Sequence, residues 1–415
     1  MYIKPTALSV LFRLLLGSAL LAVLTWVSFN VAASSWGGQE FYVQWAAGRM
    51  LAFQAKSPYE GRFSIPPLPE FGASQSQSQV LRFNSPIFGL IIIFPFLLVG
   101  NFKLAFTLWL VFSVLGVGAV MWTGLTLTGW RPGRMLSLIL VFSLAFGYYT
   151  FQALASGSSI ILMCAILGFA LMALQSDRNE AAGFLLALTT GLPQHFILVY
   201  AVLVLWAIYK KRLTFVVWFM VSVILLVVIG MFVIPEWPIS YLRVLWRFEE
   251  NFALRPVGDQ LKDWLPGIGR QIGWGISIGL LLVCGLEWWS VRRKDFRWLL
   301  WTASLTLVAS QWVGIPTHST VFFLLSIPVL LITGIWAQRT AIIGRRLIGV
   351  ALILFLLLPW LFVFQRGLPQ ALLEPDLVHL FLLPFCLFVG LYWVRWWTIR
   401  PWRLFIEDLR KNETV

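Results

Sequence analysis

The chain has few side chains able to do acid–base or nucleophilic chemistry, so those it has stand out. A carboxylate, Glu40, opens the run Gly37-Gly38-Gln39-Glu40-Phe41-Tyr42-Val43-Gln44-Trp45-Ala46-Ala47-Gly48-Arg49-Met50-Leu51. Phe41, Trp45 and Gly48 recur at helical spacing, as do Val43, Ala47 and Leu51, which reads as an amphipathic helix lying along a membrane surface. A carboxylate in the first turn of such a helix is stabilised by unpaired amides and the helix dipole, so on composition alone Glu40 is a helix-start residue. Ser57-Pro58-Tyr59 and Arg82-Phe83-Asn84-Ser85-Pro86 follow. Their prolines mark turns, and Tyr59, Arg82 and Asn84 offer polar groups at the membrane edge. An arginine there either grips a lipid phosphate through charge-assisted hydrogen bonds or snorkels to the headgroups.

Three histidines are present: His195 after a helix break, His318 in Gly314-Ile315-Pro316-Thr317-His318-Ser319-Thr320, and His379 at the start of the last apolar run. None has Glu or Cys at ligand spacing, so no metal site is expected; a neutral, hydrogen-bonding His at a helix mouth is the simpler reading. Cys164, Cys284 and Cys386 lie in apolar runs without CxxC spacing and read as small hydrophobes. No phosphate-cradling loop, dinucleotide fingerprint or Gly-x-Ser-x-Gly elbow occurs. No cofactor is expected, and an activated sugar or phosphate donor would have to arrive dissolved in the membrane.

The elements that must position these groups follow from composition. Of 415 residues, 60% are hydrophobic and 12% charged, against about 25% charged in soluble domains. That excess of apolar surface excludes soluble, disordered and nucleic-acid-binding classes. A membrane helix needs about 20 apolar residues, and such runs occupy 6–32, 104–128, 135–155, 158–175, 213–234, 271–291, 298–315, 320–338, 347–365 and 378–395. Alternating segments of a transmembrane barrel are missing. The stretch Leu14–Val31 exceeds a signal-peptide core and reads as an uncleaved first span. Residues 86–100 are short and hold Pro95, as a re-entrant or interfacial segment would; residues 181–209 are broken at Gly191-Leu192-Pro193.

Charge sets the orientation. With Lys4 and Arg13 inside, the connectors at Arg131/Arg134, Asp177-Arg178, Lys210-Lys211-Arg212, Arg292–Arg297 and Arg339–Arg346 all fall on the cytoplasmic side if 86–100 does not cross and 181–209 is a hairpin. The result is an all-α polytopic membrane protein of about twelve spans with both termini inside. Net charge is then +13 inside and +1 outside, summing to the chain's +14. The expected organisation is a first span (1–32), an extracytoplasmic loop (33–103), helices 104–234 with the broken hairpin 181–209, a second outside loop (235–270), helices 271–395 and a basic tail (396–415). Long ordered loops are usually functional, which puts the working surface outside. The tail, with Trp396, Trp397 and Trp402, reads as an anchor to anionic lipid.

Taken together, Glu40-Phe41-Tyr42-Val43-Gln44-Trp45-Ala46-Ala47, Ser57-Pro58-Tyr59 and Phe83-Asn84-Ser85-Pro86 resemble, in order and spacing, the first outside loop of the polytopic GT-C glycosyltransferases, specifically glycosyltransferase family 87. Gly157-Ser158-Ser159, Ala182-Gly183-Phe184-Leu185-Leu186-Ala187-Leu188, Leu192-Pro193-Gln194 and His318 echo later family elements over about residues 35–335. Glu40 stands where that family has Asp, Gln44 for Tyr, Ser158 for Gln and Leu192 for Lys.

The resemblance implies a GT-C-like bundle and transfer of a mannose-like hexose from a polyprenyl-phosphate donor to a lipid or glycan acceptor, with inversion, at the extracytoplasmic face of a cell membrane. Glu40 would be the general base. Arg82 or Arg62 and His318 would meet the departing phosphate, and Tyr59, Asn84 and Gln194 would bind substrate. Two other classes compete. A transporter needs ionisable groups at mid-membrane, and the spans hold almost none, Glu287 being near a cytoplasmic end. A non-catalytic lipid-binding or assembly subunit would keep the fold without using the carboxylate.

Overall fold

The computed structural model describes residues 23–30, 38–59, 83–246, 261–262, 265–313, 319–339, 346, 348–353, 359–360 and 377–399. Among them every regular element is helical. In hydrocarbon a segment must satisfy its own backbone groups, so even the β-branched run Leu213–Val233 is a helix. Among the described residues five helices are long and apolar enough to span a membrane: Phe102–Thr128, Leu213–Val233, Gly269–Val291, Thr320–Arg339 and Phe381–Thr398. The expected run 135–155 is not one straight span; it is a pair, Arg134–Ala145 and Tyr148–Ser156, bent by 43°. The bend falls at Phe146-Gly147, where a Cβ on Gly147 would stand 2.6 Å from the Ser143 carbonyl oxygen. The expected spans 6–32 and 347–365 lie mostly outside the described residues.

The helices are numbered in chain order: α1 Gln39–Gln54, α2 Phe102–Thr128, α3 Arg134–Ala145, α4 Tyr148–Ser156, α5 Ile160–Gln175, α6 Asn179–Leu188, α7 Pro193–Tyr209, α8 Leu213–Val233, α9 Trp237–Trp246, α10 Gly269–Val291, α11 Phe296–Ser310, α12 Ser326–Arg339 and α13 Leu377–Ile399. The chain forms two compact units: unit 1 comprises 1–83, 90–115 and 154–158, and unit 2 comprises 84–89, 116–153 and 159–415.

Unit 1 is organised around Phe41, which is fully buried. Its ring stacks on Phe106 (5.8 Å) and Trp109 (5.1 Å) and meets the edge of Phe96 (6.4 Å). Such aromatic pairs add about 0.5–1.5 kcal/mol each beyond area burial. Gly157, at φ +71°, brings the backbone so close that a Cβ would lie 2.6 Å from the Phe41 Cβ. Its carbonyl accepts from the Trp109 indole at 3.0 Å, and the Gly38 amide donates to the Ala155 carbonyl at 2.6 Å. The start of α1 is therefore pinned at both backbone and side chain.

Unit 2 is centred on α11, whose residues from Leu299 to Ser310 are all buried, packed among α7, α10, α12 and α13. Tryptophan indoles tie neighbours to it: Trp301 donates to the Leu391 carbonyl (2.7 Å) and Trp288 to the Thr306 hydroxyl (2.9 Å). At one end of the unit the connectors gather. Arg212 pairs with Asp177 (2.6 Å) and donates to the Leu174 carbonyl (2.9 Å). Lys210 lies 3.9 Å from Asp295, and the Trp206 indole donates to the Lys294 carbonyl at 2.9 Å. Nearby, Arg395 pairs with Glu287 at 2.8 Å. The stretch α6–α7 thus leaves and returns to the same end, broken between by the 3-10 turn Thr189–Gly191 that precedes Pro193.

Candidate active site

Glu40 sits in the first turn of α1, where the sequence puts it. Gly38 caps the helix in a left-handed conformation, with no side-chain cap. The carboxylate is part-exposed and directly precedes a rigid support, Phe41, which is locked in the aromatic cluster. Further along, the Trp45 indole donates to the Phe96 carbonyl (3.2 Å) and Arg49 donates to the Leu97 carbonyl (2.8 Å). These bonds satisfy carbonyls of the single helical turn Phe94–Leu97 and its surroundings, where Pro95 interrupts the local ladder. In the sequence Arg49 is simply another outside cation; the structure makes it a clamp on α1, stacked over Trp45 and Phe53.

The buried face of α1 (Phe41, Tyr42, Ala47 and Gly48) is covered by protein. Gly48 approaches Leu97 so closely that a Cβ would lie 2.6 Å from its side chain. Tyr42 meets the edge of Phe102 at 5.2 Å, and burial pushes its hydroxyl above the ordinary value. It stays neutral near physiological pH. Tyr59 packs against Phe83 with ring centroids 5.5 Å apart, so the Ser57-Pro58-Tyr59 element is tied to the start of the Phe83-Asn84-Ser85-Pro86 element, both in unit 1 as far as Phe83.

The other described candidates belong to unit 2. Asn84 begins a short segment that turns at Pro86, whose carbonyl accepts from the Gly89 amide at 2.9 Å, and continues as a 3-10 helix, Ile87–Ile91. This segment meets the α6–α7 break. A Cβ on Gly89 would stand 3.1 Å from the Gly191 carbonyl oxygen, and one on Gly191 would stand 3.2 Å from the Gly89 Cα. At both positions a side chain would be tighter than ordinary van der Waals contact with the facing backbone. The far end of α8 closes the same region, where Phe88 meets the edge of Trp237 at 5.5 Å and Ile87 lies against Gly230. α8 has 21 residues and is about 30 Å long, so this end stands well away from the Arg212–Asp177 end.

The segment 84–89 therefore meets, at Gly89, the break that precedes Gln194, which lies three residues past Gly191. Gln194 is part-buried, and its side-chain oxygen is buried with no hydrogen-bond partner among the described residues. An unpaired buried amide oxygen costs free energy and can accept from a ligand hydroxyl. The sequence marks the break through Pro193 but carries no local sign of the glycine-to-glycine contact that joins it to residues 84–89. Arg62, Arg82 and His318 lie outside the described residues. Among the described residues no three His, Cys, Asp or Glu side chains are grouped as a metal would require.

No match was found among curated proteins or among solved structures. The family model of glycosyltransferase family 87 matches residues 83–310, more than half of the chain. The matched stretch begins at Phe83, so it takes in Asn84, the Gly89–Gly191 contact and Gln194, and leaves Glu40, Tyr59, Arg62, Arg82 and His318 outside it. All-helical, with several membrane-span helices and this match over its core, the chain is a membrane glycosyltransferase and belongs to glycosyltransferase family 87.

Proposed function

We propose that the protein transfers a mannose-like hexose from a polyprenyl-phosphate donor to a lipid or glycan acceptor at the extracytoplasmic face, with inversion and with Glu40 as general base. The acceptor hydroxyl oxygen attacks the anomeric carbon and forms the new C–O bond. Glu40 takes the hydroxyl proton, and the bond between the anomeric carbon and the phosphate oxygen breaks, its electron pair leaving with the lipid phosphate. Help of this kind from a positioned base is worth about 10²–10⁴-fold. Arg82 or Arg62 and His318 meet the charge that develops on the departing phosphate. Tyr59, Asn84 and Gln194 hold the sugar.

The observation that carries this reading is the anchoring of Glu40. A base must be held in place to act, and this carboxylate sits next to the fully buried Phe41, on a helix clamped by Trp45 and Arg49. The face is supported by the gathering of Arg212, Lys210, Lys294 and Arg395 at one end of unit 2, as cytoplasmic connectors require. A lipid-borne donor is supported by how short those connectors are: α5 to α6, α7 to α8 and α10 to α11 are each joined by a few residues, with no room for a nucleotide-binding domain.

Reconstituted protein should transfer sugar from a polyprenyl-phosphate hexose without added divalent metal. Turnover with a nucleotide sugar alone in lipid-free detergent contradicts the proposal.

A further inference from the structure

A cavity of about 1030 Å³ opens at the connector end of unit 2. Four arginines from three separate parts of the chain line it: Arg131 between α2 and α3 with Arg134 at the first position of α3, Arg297 in the first turn of α11, and Arg346 beyond α12. Among the described residues no carboxylate lines it. None of the four makes an ion pair among the described residues. Asp295, two residues from Arg297, faces Lys210 instead.

The loop carrying the first two arginines is built to a fixed shape. Thr128 hydrogen-bonds back to the Gly124 carbonyl, and its own carbonyl accepts from Gln338 of α12 at 3.2 Å. Trp130 is buried as the floor, and Ser137 donates to the Gly133 carbonyl at 3.1 Å. Arg131 and Arg134 therefore project from an ordered turn. The first turn of α3, from Arg134 to Leu136, is part of the lining.

Insertion physics asks only that cations lie in cytoplasmic connectors. It does not ask four of them to converge on one cavity without a counter-charge, an arrangement disfavoured by self-repulsion until an anion occupies it. The lining is also apolar in part: Leu136, Ile139, Val350 and Ile353 contribute to it, and Val350 and Ile353 are exposed at 53% and 40%. The volume is at the top of the range of about 300–1,000 Å³ for small-molecule sites. A ligand with an anionic phosphate head and an apolar chain satisfies both kinds of lining, whereas a free phosphate would use only one.

We propose that this cavity binds an anionic phospholipid of the cytoplasmic leaflet, its phosphate among the four arginines and an acyl chain along Ile139, Val350 and Ile353. Basic pockets between membrane helices on that side hold anionic headgroups in this way. The site uses neither Glu40 nor the sugar donor, so it stands or falls separately from the catalytic reading.

The test is native mass spectrometry of the full chain from mixed micelles with equal mole fractions of phosphatidylglycerol and phosphatidylcholine of matched chain length. Wild type should retain phosphatidylglycerol preferentially. Each substitution among R131Q, R134Q, R297Q and R346Q should weaken that retention by about fivefold. The control set R178Q, R293Q, K211Q and K294Q, removing equal charge from the same end, should leave it intact. Val350→Trp with Ile353→Trp, which fills the apolar lining and spares every arginine, should also reduce retention, and millimolar inorganic phosphate should not displace the lipid. Absence of preference in wild type, equal loss in the control set, or displacement by phosphate with indifference to the tryptophans would each overturn the proposal. Size-exclusion profiles of all variants identify any that fail to fold, and the single substitutions then carry the test.

Discussion

At one end of unit 2 Arg212 reaches Asp177 and the Leu174 carbonyl; at the other, Gly89 and Gly191 touch backbone to backbone. The first end is held by long, part-exposed charged side chains with room to move. The second is held by the absence of side chains, and nothing there can give way without moving a helix break. The difference teaches where this protein tolerates change. At the connector end the ion pairs are part-exposed and their individual contacts are weak. Backbone contact at the other end ties the 84–89 segment to the α6–α7 break, and small changes there should be felt.

Topology is the all-or-none way to break this comparison. In a Cys386→Ala background, Ser176→Cys, next to Asp177, should resist an impermeant thiol reagent added from outside, and Ser319→Cys should react. The reverse pattern would invert the two ends. Next in size is packing. Gly89→Val puts a Cβ 3.1 Å from the Gly191 carbonyl oxygen, closer than ordinary van der Waals contact; overpacking of this kind costs typically about 1–3 kcal/mol. A clear drop in thermal stability in detergent, with sugar transfer lost, is the expected outcome, and an unchanged melting temperature would show that the contact is slack. Smallest is Arg212→Ala. Asp177 is 75% exposed in its side chain, and exposed pairs are worth about 0.2–1 kcal/mol, so the melting temperature should shift little. A loss as large as that of Gly89→Val would contradict the contrast between the ends.

Much of this was legible in the sequence because it is local. The start of α1 at Gln39, the break at Gly191-Leu192-Pro193 and the helical apolar runs follow from periodicity and proline, and the span-forming helices coincide with runs bounded by charge. The bend at Phe146-Gly147 was not legible, because apolar residues continue through it and no proline marks it. Nor was the meeting of the 84–89 segment with the α6–α7 break, which depends on a contact between glycines about a hundred residues apart in sequence. Arg49 and the four cavity arginines could be assigned to sides of the membrane by counting charge. Their partners are a carbonyl at Leu97 and a shared cavity, and both depend on the folded chain.

The central claim is that the anchored carboxylate at the start of α1 is the base, and substitution of Glu40 tests it most directly. If Glu40 only complements the helix dipole, Glu40→Gln costs about 0.3–1 kcal/mol of stability and leaves transfer intact. If it is the base, Glu40→Gln in a lipid-donor assay should lower the rate at least about 10²-fold with an unchanged melting temperature. Glu40→Asp shortens the reach by about 1.5 Å, and since a misplacement near 1 Å can cost about 10²-fold, it should be impaired but faster than Gln. Equal rates for wild type, Asp and Gln would contradict the account and leave a lipid-binding subunit as the reading of this chain.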